Sequence, residues 1–207
     1  PVLGDIRDAG AVKKIVQGVD ILFHVAALKN VPVCERNPLE VVRTNLLGLQ
    51  NIIDSAVGAD VGKIVLTSTD KAVNPTNVMG ASKLMGEQLI RAANLESREQ
   101  SFFSTRFGNV LGSQGSVVPI FSWQIANGGP VTITSNEMTR FVMTLDDAVE
   151  MLLGSVELAS GGEVFVPKIP SVRITDLAKS LSQNIKIKSV TGRTGLYFRL
   201  TACGLPR

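Results

Sequence analysis

The chain has 207 residues, and its 44% hydrophobic content is enough for a sizeable core in one large domain or in a domain with a small lobe. A net charge of +3 without a basic run, and only one Trp and one Tyr, argue against nucleic-acid binding. The single histidine argues against a multi-histidine metal site, so no metal is expected, and no apolar run reaches the roughly 18 residues of a membrane span.

No signal-peptide pattern opens the chain. The two cysteines, Cys34 and Cys203, are far apart and lack metal-ligand spacing; they read as reduced thiols in a cytosolic setting.

In chain order, Pro1–Asp5 reads as the end of a strand followed by a turn. Asp8 is placed to cap a short amphipathic helix with Val12, Ile15 and Val16 on one face. Asp20–Val25 reads as a buried strand. Its exit, Ala26 to Pro32, is small and then polar, as a backbone that approaches a ligand tends to be. Asn37-Pro38-Leu39-Glu40 is a helix start, with Asn as N-cap, Pro at N1 and Glu at N3. That helix runs to about Val57, with Val41, Leu46, Leu49, Ile52 and Ile53 apolar.

Lys63–Thr67 is a second buried strand and leads into the stretch from Thr67 to Lys83. This stretch holds Asp70 and Lys71, a proline turn at Asn74-Pro75, and a helix from about Met79. A reactive loop at the carboxyl end of a parallel strand is where open α/β sheets place their chemistry. Phe102–Arg106 is a strand that opens into a Gly-rich loop from Gly108 to Ser116. Pro119–Asn127 reads as a helix, and Val131–Thr134 and Thr139–Met143 as strands. Thr144 caps a helix with Asp147 at N3; Glu163–Val166 is a strand and Ile174–Leu181 a helix. From about Ser189 the chain has neither period nor caps, and poor order is expected at its extreme C-terminus.

Strand and helix alternate to about residue 106, which predicts an α/β fold: a Rossmann-like doubly wound parallel sheet with right-handed crossovers. The later, less regular part predicts a small C-terminal lobe. The expected division is a partial nucleotide-binding domain over 1–115 and, over 116–207, mainly the lobe, interleaved with the sheet.

The ordered motifs Gly4-Asp-Ile-Arg-Asp8, His24-Val-Ala-Ala27, Asn45-Leu-Leu-Gly48, Ser68-Thr-Asp-Lys71, Met79-x-x-x-Lys83, Arg106-Phe-Gly-Asn-Val110 and Thr139-Arg-Phe141 resemble those of the extended short-chain dehydrogenase/reductases that act on nucleotide sugars. The phrases from Ala27 to Pro38 and from Asp70 to Gly80 are similar to the polysaccharide-biosynthesis branch, the UDP-N-acetylglucosamine 4,6-dehydratases and related epimerases. The resemblance covers roughly residues 2 to 180. Two departures stand out. The Gly-x-x-Gly-x-x-Gly turn that opens such enzymes is not in this sequence, so the chain is expected to be a fragment lacking the first βαβ unit. The place of an Arg-Pro-Gly-Glu-type motif reads Gly192-Arg-Thr-Gly195, which fits an altered C-terminus.

The resemblance implies NAD or NADP as cofactor and a UDP-sugar as substrate. The implied reaction oxidises the sugar at C4, removes the C5 proton, expels the C6 hydroxyl as water and returns hydride to C6. By the same resemblance Thr69 orients O4, Asp70 donates a proton to the leaving hydroxyl, and Lys71 takes the C5 proton. A lysine base must be neutral when it acts, which a dry pocket and a cationic nicotinamide favour. Met79 stands where most of the superfamily has a catalytic Tyr, so that task passes to Lys71 or to a water held by Thr69. Lys83 binds the nicotinamide ribose. Asp5 and Ile6, Ala26 and Ala27, Lys29, Asn45 and Thr67 fall at cofactor positions. Lys29, Asn109, Ser116 and Arg140 fall at substrate positions.

Plainer readings stay open. Met79 as core, with Lys83 a solvated helix lysine paired with Glu87, is one. A turn salt bridge for Asp70 and Lys71, a packed His24, a buried hydrogen-bonded Asn45 and a lobe salt bridge for Arg140 are others. A UDP-sugar 4-epimerase is the alternative activity, and an inactive fragment or pseudoenzyme the alternative of another class. A homo-oligomer is expected, located in the cytoplasm or at the cytoplasmic membrane face; membrane association would come only through regions outside this sequence.

Overall fold

The structure, a computed structural model, describes residues 1–97, 99–113, 115–182 and 186–189. The readings made of the C-terminal stretch from 190 on, including Gly192–Gly195 and Cys203, lie outside these residues.

The elements are helix α1 (Ala9–Ile15), strand β1 (Ile21–His24), helices α2 (Val31–Arg36) and α3 (Pro38–Val41), a π-helical segment Val42–Leu47, and α4 (Gly48–Gly58). Strand β2 (Lys63–Thr69), a 3-10 turn Asp70–Ala72, α5 (Val78–Glu96), β3 (Ser101–Phe107) and β4 (Asn109–Val110) follow. The remainder is α6 (Val117–Ala126), β5 (Val131–Ile133), β6 (Thr139–Met143), α7 (Leu145–Leu158), β7 (Val164–Phe165), β8 (Ser171–Arg173), α8 (Ile174–Leu181) and β9 (Ile187–Ser189).

The described residues divide into two compact units, one within residues 1–111 and 141–170, the other within residues 112–140 and 171–189. In the first, four parallel strands stand in the order β1-β2-β3-β7. Five consecutive buried residues, Ile64 to Ser68, make β2 a central strand covered on both faces. On one face Ile64, Leu66 and Phe102 pack with Val12, Leu49, Ile52, Ile53 and Ile90 from α1, α4 and α5. On the other, Val65 and Phe103 meet Ala159, Leu152 and Val156 along α7 and its end. Lys63 Nζ reaches the Val156 carbonyl in the last turns of α7, at 2.5 Å, where a cation suits the helix dipole.

Caps define several helices as the sequence indicates. The Asp8 side chain accepts from Ala11 N–H at 3.0 Å, and Thr144 and Asp147 form a reciprocal capping box at α7. Four local expectations change. Strand β1 is half exposed: Ile21 and Phe23 are 40% and 37% exposed, on the face opposite Leu22, which packs on the core shared with α1 and α4, while the α7 residues on that other face pack on β2 and β3. Ile15 is 45% exposed while Val12 and Val16, one turn apart, carry the buried stripe of α1. Pro1–Asp5 forms no strand ladder with the described residues. Asn37 does not cap with its side chain. The segment before it is helix α2, and the Asn37 amide closes that helix by donating to the Val33 carbonyl at 2.9 Å. Glu40 pairs instead with Arg7 and Arg43.

The second unit has its own core, in which Phe121 of α6 packs with Val131, Ile133, Ile174 and Ala178. There β5 and β9 pair in parallel, with Val131 opposite Ile187.

Candidate active site

The carboxyl end of β2 organises the first unit's polar groups. The Thr69 hydroxyl donates to Asp70 Oδ1 at 2.8 Å and accepts from Lys71 N–H at 3.4 Å, so it caps the 3-10 turn. Lys71 Nζ donates to Asp70 Oδ1 at 2.8 Å and to Asn109 Oδ1 at 3.2 Å. Asn109 is held in turn by its own amide, which donates to the Phe141 carbonyl at 2.8 Å. The Lys71 and Asp70 side chains keep 33% and 23% exposure, so the pair is open to a ligand. Thr69, Asp70, Lys71 and Asn109 thus form one hydrogen-bonded cluster.

Helix α5 approaches this turn closely. Asn77 caps it by accepting from Gly80 N–H at 2.8 Å, and the Glu35 carboxylate accepts from Val78 N–H at 2.6 Å. A Cβ on Gly80 would lie 2.5 Å from the Lys71 carbonyl oxygen, so only glycine permits this contact. Met79 is buried with Cys34 and Val41 and offers no titratable group.

Lys83 is also buried, and its Nζ donates to the Thr67 carbonyl at 2.8 Å. Burial pushes its pKa down to about 8, partly offset by the Glu87 charge. It is not a solvated helix lysine paired with Glu87. Glu87 is itself buried, and it accepts from Arg106 through both carboxylate oxygens, at 2.8 and 2.6 Å, and from Ser68 Oγ at 2.5 Å.

At the end of β1, His24 is packed, and burial, helped by the Lys83 charge, lowers its pKa to about 4. Its carbonyl accepts from the Thr67 hydroxyl at 3.1 Å. Asn45, in the π-helical segment, clamps the loop beyond. Its Oδ1 accepts from Leu28 N–H at 2.8 Å, and its amide donates to the Leu28 carbonyl and to Ser82 Oγ, both at 3.0 Å. Asn45 therefore shapes the backbone beside Ala26 and Ala27, whose small side chains leave it open to approach.

Lys29 is exposed. The Asp5 carboxylate is gripped by the Arg7 side chain, which holds its pKa down at about 2. Ile6 packs on the core, with its carbonyl taken by the Asn51 amide at 3.0 Å. Ser116 and Arg140 belong to the second unit: the Ser116 hydroxyl is buried without a partner among the described residues, and Arg140 is exposed and donates to the Thr139 carbonyl.

Sequence reasoning did not find Glu35 as the second cap of α5, nor the Glu87–Arg106–Ser68 network. The available signal for Glu87 was its place one turn beyond Lys83 on the core-facing side of α5.

A nicotinamide nucleotide needs donors for its ribose hydroxyl pair and a backbone it can lie against. Lys83 uses one of its three ammonium donors on Thr67, so two remain for a hydroxyl pair. The open backbone at Ala26-Ala27 gives room alongside. These residues fit the group.

The family of polysaccharide biosynthesis proteins matches residues 1–198. The chain belongs to that family. It is 46% identical over 196 residues to the inverting UDP-N-acetylglucosamine 4,6-dehydratase of Campylobacter jejuni, covering 93% of this chain and 59% of that protein. It is equally 46% identical, over 181 residues, to a UDP-glucose 4-epimerase of Rickettsia canadensis, covering 86% and 53%. The chain thus spans little more than half the length of these relatives. Among solved structures, Pen from Bacillus thuringiensis superposes with a TM-score of 0.88 at 40% identity, covering 95% of this chain and 63% of that one. The NAD-bound DesIV double mutant, a dTDP-glucose 4,6-dehydratase of Streptomyces venezuelae, superposes at 0.82 with 23% identity, covering 92% and 66%, a likeness of fold. The family is one of nucleotide-sugar dehydratases and epimerases with a Rossmann-type fold.

Proposed function

We propose that this family member is a nucleotide-sugar 4,6-dehydratase acting on UDP-N-acetylglucosamine or a similar UDP-hexose, with NAD or NADP as cofactor. One observation carries the reading: Lys71 and Asp70 lie 2.8 Å apart, with Thr69 and Asn109 bonded to the same pair. The bound nicotinamide would supply reversible hydride acceptance. Lys83 holds the ribose with its spare N–H donors. Thr69 directs its hydroxyl hydrogen to Asp70, so its lone pair is available to the sugar O4–H.

Lys71 acts as the neutral amine, its proton given up to solvent. As hydride leaves C4, the O4 proton passes through the Thr69 hydroxyl to Asp70 Oδ1. The amine takes the C5 proton, made acidic by the 4-keto group, and the Asp70 acid protonates the departing C6 hydroxyl, which leaves as water. When hydride returns to C6, Lys71 gives its proton back to C5 and regains one from solvent, so the pair ends as it began. Arg140, Asn109 and Ser116 are assigned to the nucleotide diphosphate, Lys29 to the substrate, and Asp5 to the adenine.

The second reading is a UDP-sugar 4-epimerase, favoured by the equal identity to the Rickettsia protein. That reaction needs no acid at O6 and no base at C5, so it leaves Asp70 without a proton to donate and gives Lys71 at most the O4 task of the replaced Tyr. The complete protein carrying this sequence, incubated with UDP-N-acetylglucosamine and either nicotinamide cofactor, is expected to give a product lighter by one water. An isobaric product instead would establish the epimerase; no conversion with either cofactor would overturn both.

A further inference from the structure

We propose that Glu87 is a positioning residue that aims the Lys71–Asp70 pair; the inference rests on the dehydratase reading above. Glu87 lies on α5, one turn beyond Lys83, and is 2% exposed. A carboxylate so buried must have its charge and lone pairs satisfied. Its partners come from two different strands. Oε1 accepts from Ser68 Oγ at 2.5 Å and from Arg106 Nε at 2.8 Å, while Oε2 accepts from Arg106 Nη2 at 2.6 Å. Ser68 and Arg106 are register partners on β2 and β3.

The position of these strands gives the network its consequence. Ser68 immediately precedes Thr69, whose hydroxyl bonds Asp70. Arg106 stands on β3 just ahead of Asn109, whose side-chain Oδ1 accepts from Lys71 Nζ. One buried carboxylate therefore fixes the two strand ends that carry the two sides of the Lys71–Asp70 pair. Charge-assisted, forked bonds of this kind set direction as well as distance. Lys83 keeps its own bond to the Thr67 carbonyl, and the Glu87 charge touches it only through space. Loss of the Glu87 charge is thus expected to disturb C5 deprotonation and water loss more than C4 oxidation.

The test compares Glu87→Gln with the unaltered complete protein, supplied with UDP-N-acetylglucosamine and cofactor. Nicotinamide absorbance reports C4 oxidation, and deuterium uptake at C5 with the water-lighter product reports elimination. The expected result is a fall in elimination at least ten-fold greater than the fall in oxidation. Equal falls in both, or none, would overturn the proposal. Ser68→Ala, which removes one neutral donor, repeats the test if Glu87→Gln does not fold, with the same split expected at about three-fold.

A second arm measures amide hydrogen exchange without substrate. Residues 69–71 and 108–110 should lose protection in either variant while 21–24 keep theirs; unchanged protection at the first two segments overturns the proposal. This arm decides on Glu87 even if the unaltered protein forms no lighter product, an outcome that would instead sink the proposed function.

Discussion

Lys83 Nζ donates to the carbonyl oxygen of Thr67 at 2.8 Å, inside a core that leaves the lysine 9% exposed. Burial of an ammonium group disfavours its charged form, and the pKa falls from 10.5 to about 8. The unfolded chain therefore binds more protons than the folded one between these two values. Stability must rise with pH across that window, by on the order of 3 kcal/mol when the whole shift is counted. Lys83→Met removes the titration. The stability of the native sequence relative to this variant, from urea unfolding at pH 7 and pH 10, should improve toward the higher pH. A difference independent of pH would show that Lys83 is not desolvated as the structure has it.

His24 sets the acid side. Burial first, and the Lys83 charge second, lower its pKa from 6.5 to about 4. The unfolded chain again binds the extra proton, here between pH 6.5 and 4. The burial of neutral His24 costs nothing above pH 6.5, and a penalty of about 3 kcal/mol is complete below pH 4. His24→Gln should flatten this slope, so the acid unfolding midpoint moves to lower pH. If the midpoint stays where it is, acid lability arises elsewhere.

Features with local causes were legible in the sequence. Asp8, Thr144 and Asp147 cap as their spacing indicates, and the apolar run before Thr67 is the central strand it resembles. The exposure of Ile21 and Phe23 was not legible, because an apolar run reads the same whether one or both faces of its strand are covered, and only the packing of the helices decides that. Asn37 misled for a related reason: the cap pattern is there, but a preceding helix claims the side chain. In the site, the roles of Asp70 and Lys71 came from a motif, whereas their contact with Asn109 depends on two strands far apart in sequence. Glu87 is the same case. A carboxylate four residues from a lysine on a helix suggests a pair, and only the fold places Arg106 nearer to it.

Asn45 has every side-chain donor and acceptor it uses directed at the Leu28 backbone and Ser82. Asn45→Ala leaves the Leu28 N–H unpaired in a partly buried loop and its carbonyl with only the weak Cys34 thiol donor at 3.6 Å. Unpaired groups of this kind cost about 1–3 kcal/mol each. The variant should lose about 2–4 kcal/mol in urea unfolding, and NAD(P) affinity, read by calorimetry, should fall because the Ala26-Ala27 backbone is no longer fixed. Ser82→Ala removes one partner of the Asn45 amide but leaves both bonds to Leu28, and should lose less. Equal losses in the two variants would count against the clamp.

Gly80 and Gly58 give a paired test of the closeness of α5 to the Asp70–Ala72 turn. Both are helical glycines without positive φ. Alanine in an open helical position is favoured by up to about 1 kcal/mol over glycine. A Cβ at Gly58 meets nothing within 4 Å, so Gly58→Ala should stabilise by a few tenths to about 1 kcal/mol. A Cβ at Gly80 meets the Lys71 carbonyl oxygen at 2.5 Å and Pro75 Cβ at 3.4 Å. The first neighbour is backbone and cannot rotate away, so either α5 or the Lys71 turn must move. Overpacking of this kind costs about 1–3 kcal/mol. Gly80→Ala should therefore destabilise where Gly58→Ala stabilises, and it should also slow C5 deuterium uptake, since the displaced group is Lys71 itself. Unfolding curves for the two variants suffice to decide: a gain in both would mean that the first turn of α5 does not rest on Lys71.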